Sequence, residues 1–490
     1  MRVIKFKISD ALSLACSLIL IVCFVIVALD YTYDWFNFSI ADLTIMCFLV
    51  TFISYMKVFS TEGYQRLGFH MVIMTYTILV HFGFLFAYYM DSKAAIIRSA
   101  YSMRFMYSEA FPTAIQISLL VIIAFVLCGS TRLYRGKQIV QLPETRPHNG
   151  IMWTVYILGT TILSIGFILL VSLIFNGYLN LSYSQRVQAF AAISWYGHLI
   201  ILISFAFCMM IAVLPKNKWR IGLYLFVLIA IAHFMLGNRG EVLYSAGSCV
   251  AVYYLRYGDI GKKWIVLGAL ALIFGIPLIR DFRAAFQIDL YTLSLKKNII
   301  ELFSELGFQI GPFTYAVEII NSGLGHQHGG TYLYNFADFL ARKMPFLPQL
   351  PTESVVNIKY MMPGKGLGFS HVAEAYYNFG VMGACIYYTL LSRLILKLEL
   401  VFKSASASPY KRIFASLLVV EIINLTRNSF HTFPVYFSYI IVLITLIYIL
   451  GNIVPKIRSS FKNPTLNNAK LNLNGSVNNG TIGHCNNSDI

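Results

Sequence analysis

The residues in this chain best suited to chemistry are His371, Glu374 and Asn378, within Gly-Phe-Ser-His-Val-Ala-Glu-Ala-Tyr-Tyr-Asn-Phe-Gly-Val-Met-Gly, Gly368 to Gly383. Spacings of three and then four put them on one face of a helix, where a polar loop runs into an apolar stretch. An Asp, Lys or Arg inside a hydrophobic span costs roughly 2.5–3.5 kcal/mol on insertion scales, so ionisable groups there usually mark a working site. A carboxyl beside an imidazole suits abstraction of a proton from a hydroxyl, with Glu374 as the base and His371 as its understudy.

Guanidinium groups form the second set. Arg239 lies in Gly237-Asn238-Arg239-Gly240-Glu241, a tight turn whose glycines let backbone and ligand approach closely. Arg280 and Arg283 share a helical face in Arg280-Asp281-Phe282-Arg283, and Arg186, in the outer loop 176–193, is followed after ten residues by Gly197. Glu421, Asn424 and Asn428 line one face of a further span, and Arg427 comes out at its mouth. Forked guanidiniums grip phosphate oxygens in pairs. Several arginines without an acidic magnesium cluster therefore suit a diphosphate leaving group held by protein cations. The chain has no nucleotide-binding loop, no metal-ligand spacing, and no cofactor is expected. His326-Gln327-His328, set among Gly323, Gly325, Gly329 and Gly330, reads as a mobile surface loop, because nothing nearby adds ligands at metal spacing.

These groups have to be positioned by membrane helices. A mean hydropathy of +0.68, with 58% hydrophobic and 12% charged residues, is not a soluble composition. Apolar runs of about 17–22 residues recur, long enough to cross hydrocarbon. The hydropathy predicts an all-α polytopic protein of about twelve spans: 11–29, 40–56, 68–89, 113–131, 151–175, 193–214, 219–236, 241–256, 264–279, 371–391, 413–428 and 434–452. The net charge of +17 would fit nucleic acid, but the basic residues cluster in loops between alternate spans, as the positive-inside rule requires. Nucleic acid is excluded as a partner; membrane lipid is the expected surroundings. Both termini are expected in the cytoplasm and the polar groups above on the opposite, periplasmic side. The first apolar run is too long for a signal-peptide core and counts as a span.

Residues 1–455 read as one integral membrane domain. Its large periplasmic loop, about 280–370, is expected to form a structured cap on the membrane surface. Within it, Ile299 to Ile320 reads as one or two helices weakened as a span by Glu301, Glu305 and Glu318, and Tyr332 to Phe346 as an amphipathic helix. Residues 456–490 read as a disordered, Asn-rich cytoplasmic tail.

The layout of spans, the turn Leu-Gly-Asn-Arg-Gly-Glu, the large penultimate outer loop and the helix start Ala-Glu-Ala-Tyr-Tyr-Asn-Phe-Gly-Val-Met-Gly resemble the O-antigen polysaccharide polymerases of the Wzy type, over roughly residues 10–455. The resemblance implies a fold like the C-type membrane glycosyltransferases. It implies an enzyme that joins oligosaccharide repeats carried on undecaprenyl diphosphate, at the outer face of the bacterial inner membrane, without metal or nucleotide sugar. It also implies a separate chain-length regulator protein as a partner. Carried over by position, Arg239 and Glu241 fall in the family's turn and Glu374 in its helix start. Arg186 with Gly197 is similar to an Arg-x10-Gly pattern of some members. A second such pattern is not found at Arg280, Arg283 or Arg342. Two alternatives remain open at this stage: a flippase or transporter of lipid-linked oligosaccharide, and an O-antigen ligase.

Overall fold

The structure, a computed structural model, describes residues 8–61, 67–92, 103–129, 149–181, 183–193, 195–236, 240–258, 260–285, 295–344, 346–348, 350, 369–404 and 406–462. The helices are α1 (Ile8–Tyr33), α2 (Ile40–Ser60), α3 (Phe69–Met90), α4 (Ala110–Gly129), α5 (Asn149–Phe175), α6 (Tyr183–Ala192), α7 (Tyr196–Val213) and α8 (Lys216–Met235). They continue with α9 (Gly240–Tyr257), α10 (Lys262–Ala285), α11 (Leu295–Leu306), α12 (Ile310–Ile319), α13 (Gly330–Lys343), α14 (His371–Lys403), α15 (Pro409–Leu425) and α16 (Phe433–Lys462). No strand occurs among the described residues.

The chain is an all-α polytopic membrane protein. Among the described residues nine helices are long and apolar enough to cross a membrane. All twelve expected spans fall on helices, the three outside that group being α9, α10 and α15. Helices are the answer to a solvent without hydrogen-bonding capacity, because each satisfies its backbone within one segment. Starts are fixed by side chains: Ser39 and Asp42 form a reciprocal capping box on α2, and Ser408 with Pro409 opens α15. α3, α4 and α7 are buried on nearly every side and form the centre. α1, α5 and α16 bury only one stripe and turn Leu18, Val22, Ile168 and Val442 outward.

Two breaks shape the site. The segment expected to be one or two helices over 299–320 is the pair α11 and α12, separated by a 3-10 turn at Gly307–Gln309. It is packed into the bundle, α11 along α3 and α12 along α4. The crossing is tight because a Cβ on Gly307 would collide with the backbone of Phe84.

The second break divides the crossing expected at 371–391. Gly380 has φ 68° and ψ −170°, a conformation essentially reserved for glycine. In an unbroken helix residues 371 and 387 would lie about 24 Å apart. Instead the Tyr387 hydroxyl is 3.3 Å from Nδ1 of His371. α14 is therefore a hairpin: the arm 371–379 folds back beside the arm 381–403, and only the second, about 33 Å long, can cross the bilayer. The last helix runs on to Lys462, past the boundary expected at residue 455, and the rest of the Asn-rich tail, 463–490, lies outside the described residues.

Candidate active site

The short arm of α14 carries the polar face expected from its spacing. Ser370 caps it, its hydroxyl accepting the Ala373 N–H at 3.2 Å. His371, Glu374 and Asn378 are all buried. Glu374 is only 1% exposed, so its carboxylate needs partners to be tolerated. One oxygen accepts from the Thr331 hydroxyl at 2.8 Å, the other from the backbone N–H of Phe430 at 2.6 Å. Thr331 in turn accepts from Nδ2 of Asn378 at 2.7 Å, and its own N–H donates to Asn378 Oδ1 at 3.2 Å. The Thr331 hydroxyl thus donates once and accepts once, within its capacity. Three distant pieces of chain (the start of α13, the short arm of α14, and the turn before α16) meet on one carboxylate.

His371 is held from two sides. Nε2 is 3.2 Å from the carbonyl oxygen of Ile422, which can only accept, so Nε2 carries the proton. The free lone pair is then on Nδ1, and the Tyr387 hydroxyl donates to it. Just below, Glu421 is fully buried and accepts from Asn424 Nδ2 at 3.3 Å, while Asn428 donates to Asn424 Oδ1 at 2.8 Å. The polar face expected on α15 is therefore a chain of hydrogen bonds along one helix.

The expected mobility of His326-Gln327-His328 is not what the structure has. Breaking α14 at Gly380 frees the carbonyls of Tyr377 and Asn378, and the N–H groups of Gln327 and His328 take them at 3.1 and 2.7 Å. The His326 ring stands edge-on to Tyr376, and the loop is docked.

Of the expected site residues, His371, Glu374, Asn378 and Arg427 come together. Arg427 is half-buried in the turn after α15, and its carbonyl accepts the Phe369 N–H at 3.1 Å. Arg239 lies outside the described residues. Glu241 is in the first turn of α9, Arg280 and Arg283 at the end of α10, and Arg186 in α6, with side chains outside the described set. Thr331, Tyr387 and the Phe430 amide belong to the site but were not expected there. Hydroxyls and backbone amides carry no charge for a sequence motif to register. Among the described residues no group of three His, Cys, Asp or Glu side chains is placed to hold a metal ion.

A bundle of membrane-length helices enclosing a hydrogen-bonded carboxylate and imidazole on a re-entrant arm defines a multi-pass membrane protein with a polar site inside its apolar body. The family described as O-antigen polysaccharide polymerase Wzy matches residues 15–456, and the chain belongs to that family. It is also similar to "Protein CapE" of Staphylococcus aureus, 27% identical over 289 residues that make up 57% of this chain. The match spans 61% of the length of that curated relative. No solved structure matches.

Proposed function

We propose that this chain polymerises oligosaccharide repeats carried on undecaprenyl diphosphate, at the outer face of the bacterial inner membrane. The acceptor hydroxyl at the end of a new lipid-linked repeat attacks the anomeric carbon of the growing glycan. A new C–O glycosidic bond forms, the C–O bond to the lipid diphosphate breaks, and the acceptor proton passes to protein. Glu374 is the proposed base, with His371 through Nδ1 as the understudy. Arg239, Arg280, Arg283 and Arg427, with Arg186, would hold the departing diphosphate, and Glu241 and Asn378 the glycan. Neither metal nor nucleotide sugar has a part in this scheme. A separate chain-length regulator is the proposed protein partner. Both termini lie in the cytoplasm and the site faces the periplasm in this reading.

The observation that carries it is the buried carboxylate of Glu374 on an arm that ends inside the bundle, since irregular backbone at membrane depth occurs where it is buried in protein or lines a cavity. A second reading has support of its own: both Glu374 oxygens are already hydrogen-bonded, which suits a group that holds the site together. The test is a gel of surface polysaccharide from a deletion strain carrying wild type, Arg239→Ala or Glu374→Ala, with membrane insertion checked by immunoblot. A single-repeat band in place of a ladder is expected for both variants. Normal long chains in both would sink the scheme.

A further inference from the structure

α13 has its polarity inside out. Thr331, Asn335, Asp338 and Ala341 are its buried residues, and three of the four are polar. On the opposite side Leu333 is 73% exposed, with Phe336 and Leu340 at 39% and 42%. The positions 331, 335 and 338 follow one helical stripe and 333, 336 and 340 the other, about half a turn away. On a water-facing surface the stripes would be reversed. A helix with an apolar outer face and a polar inner one belongs between hydrocarbon and a polar interior.

We propose that α13 is the wall between the bilayer and the Glu374 cluster, with its outer stripe bedded in lipid acyl chains. Its neighbours continue the same surface. Phe336 packs edge-on against Phe433 at 6.2 Å, and Phe433 stacks on Phe437 at 5.5 Å, leading onto the outward face of α16 with Ile441 and Val442. On the other side Tyr332 stacks with Phe379 at 5.9 Å, and beyond it lie Met382, Ile386 and Leu390, exposed along the crossing arm of α14. The apolar stripe of α13 thus fills the gap between two faces that a membrane-crossing bundle must present to lipid.

Its polar ends agree with that depth. Arg342 and Lys343 close the C-terminus, where long basic side chains reach to the phosphate layer, and Arg342 also forms a two-pronged ion pair with Asp338 at 2.9 and 3.0 Å. The inner stripe is committed to the site, Thr331 to Glu374 and Asn378, and Asn335 to His431 at 3.3 Å. One helix, about 10 Å across, therefore separates acyl chain from carboxylate. The contact holds whatever reaction the site performs.

The test places tryptophan on the outer stripe. Full-length Leu333→Trp is reconstituted in nanodiscs of phosphatidylcholine or of dibrominated phosphatidylcholine, and wild-type emission from the five native tryptophans is subtracted. Most of the added emission should be lost in the brominated lipid, and little of it to acrylamide in the buffer. Strong acrylamide quenching without bromine quenching would put this face in water and overturn the proposal. Quenching by neither would mean that protein covers the face, and would overturn it equally. Leu340→Trp gives the same readout from a second position if Leu333→Trp does not fold.

Discussion

Replacing Thr331 with Val removes one hydroxyl and keeps the branched shape, so the loss can be worked out atom by atom. Glu374 Oε1 loses its donor and Asn378 Nδ2 loses one of its two acceptors, keeping the Glu374 carbonyl at 2.8 Å, while the Phe430 N–H and the Thr331 backbone contacts stay. A buried polar atom left without a partner costs roughly 1–3 kcal/mol, more when charged. One such atom, on a carboxyl, amounts to about 2 kcal/mol. That loss falls on the junction of α13 with the short arm of α14 and need not unfold the bundle. The assay is hydrogen exchange of the peptide covering residues 326–335, whose amides at 327, 328 and 331 are tied to the arm. Exchange there should speed up by about thirtyfold, since each 1.4 kcal/mol is tenfold, with α4 and α7 unchanged. Thr331→Ser should restore most of the protection. The reasoning is refuted if Thr331→Val exchanges like wild type, because the carboxylate would then not depend on that hydroxyl.

Three further outcomes follow from single positions. Gly380→Ala should destabilise the protein by roughly 1–3 kcal/mol from backbone strain alone, as its Cβ would also press on His326 Nε2 at 3.2 Å; thermal unfolding in detergent measures this, and an unchanged melting point would contradict the hairpin. Gly307→Ala should cost a similar roughly 1–3 kcal/mol by forcing α11 away from α3, visible as weaker protection of residues 295–306. Lys57 is buried, its ammonium donating to the Ser17 hydroxyl at 2.7 Å, and among the described residues no carboxylate hydrogen-bonds to it. Lys57→Met should leave the melting temperature unchanged or raised, since apolar replacement of buried charge is often neutral to stabilising; a large drop would show that the ammonium is needed.

Much of the fold was legible because apolar length in lipid leaves few alternatives: every expected span is helical. The His371, Glu374 and Asn378 face was legible too, since helical spacing alone places three side chains together. What closes around them was not. Thr331 lies 43 residues and Phe430 56 residues from Glu374 along the chain, and neither bears a charge. Gly380 in Phe-Gly-Val-Met-Gly looks like any glycine in a membrane helix, and the loop that takes the carbonyls beside its positive φ lies some fifty residues earlier in the chain. The inversion of α13 escaped for a related reason: an amphipathic pattern specifies two faces but not which of them is inside.

The hairpin in α14 has a consequence for how the chain is assembled. In hydrocarbon an unpaired carbonyl costs several kcal/mol, and the short arm ends with two carbonyls, at Tyr377 and Asn378, that are paired by the 326–328 loop. Their partners, Gln327 and His328, are made earlier on the ribosome, and in the topology proposed above they would be across the membrane before the arm emerges. The arm has no stable resting place in lipid until that loop is there to receive it. In that topology insertion of α14 is templated by chain delivered before it, and a protein lacking residues 326–328 should fail during biogenesis, as a substrate for membrane proteolysis, before its activity could be asked about.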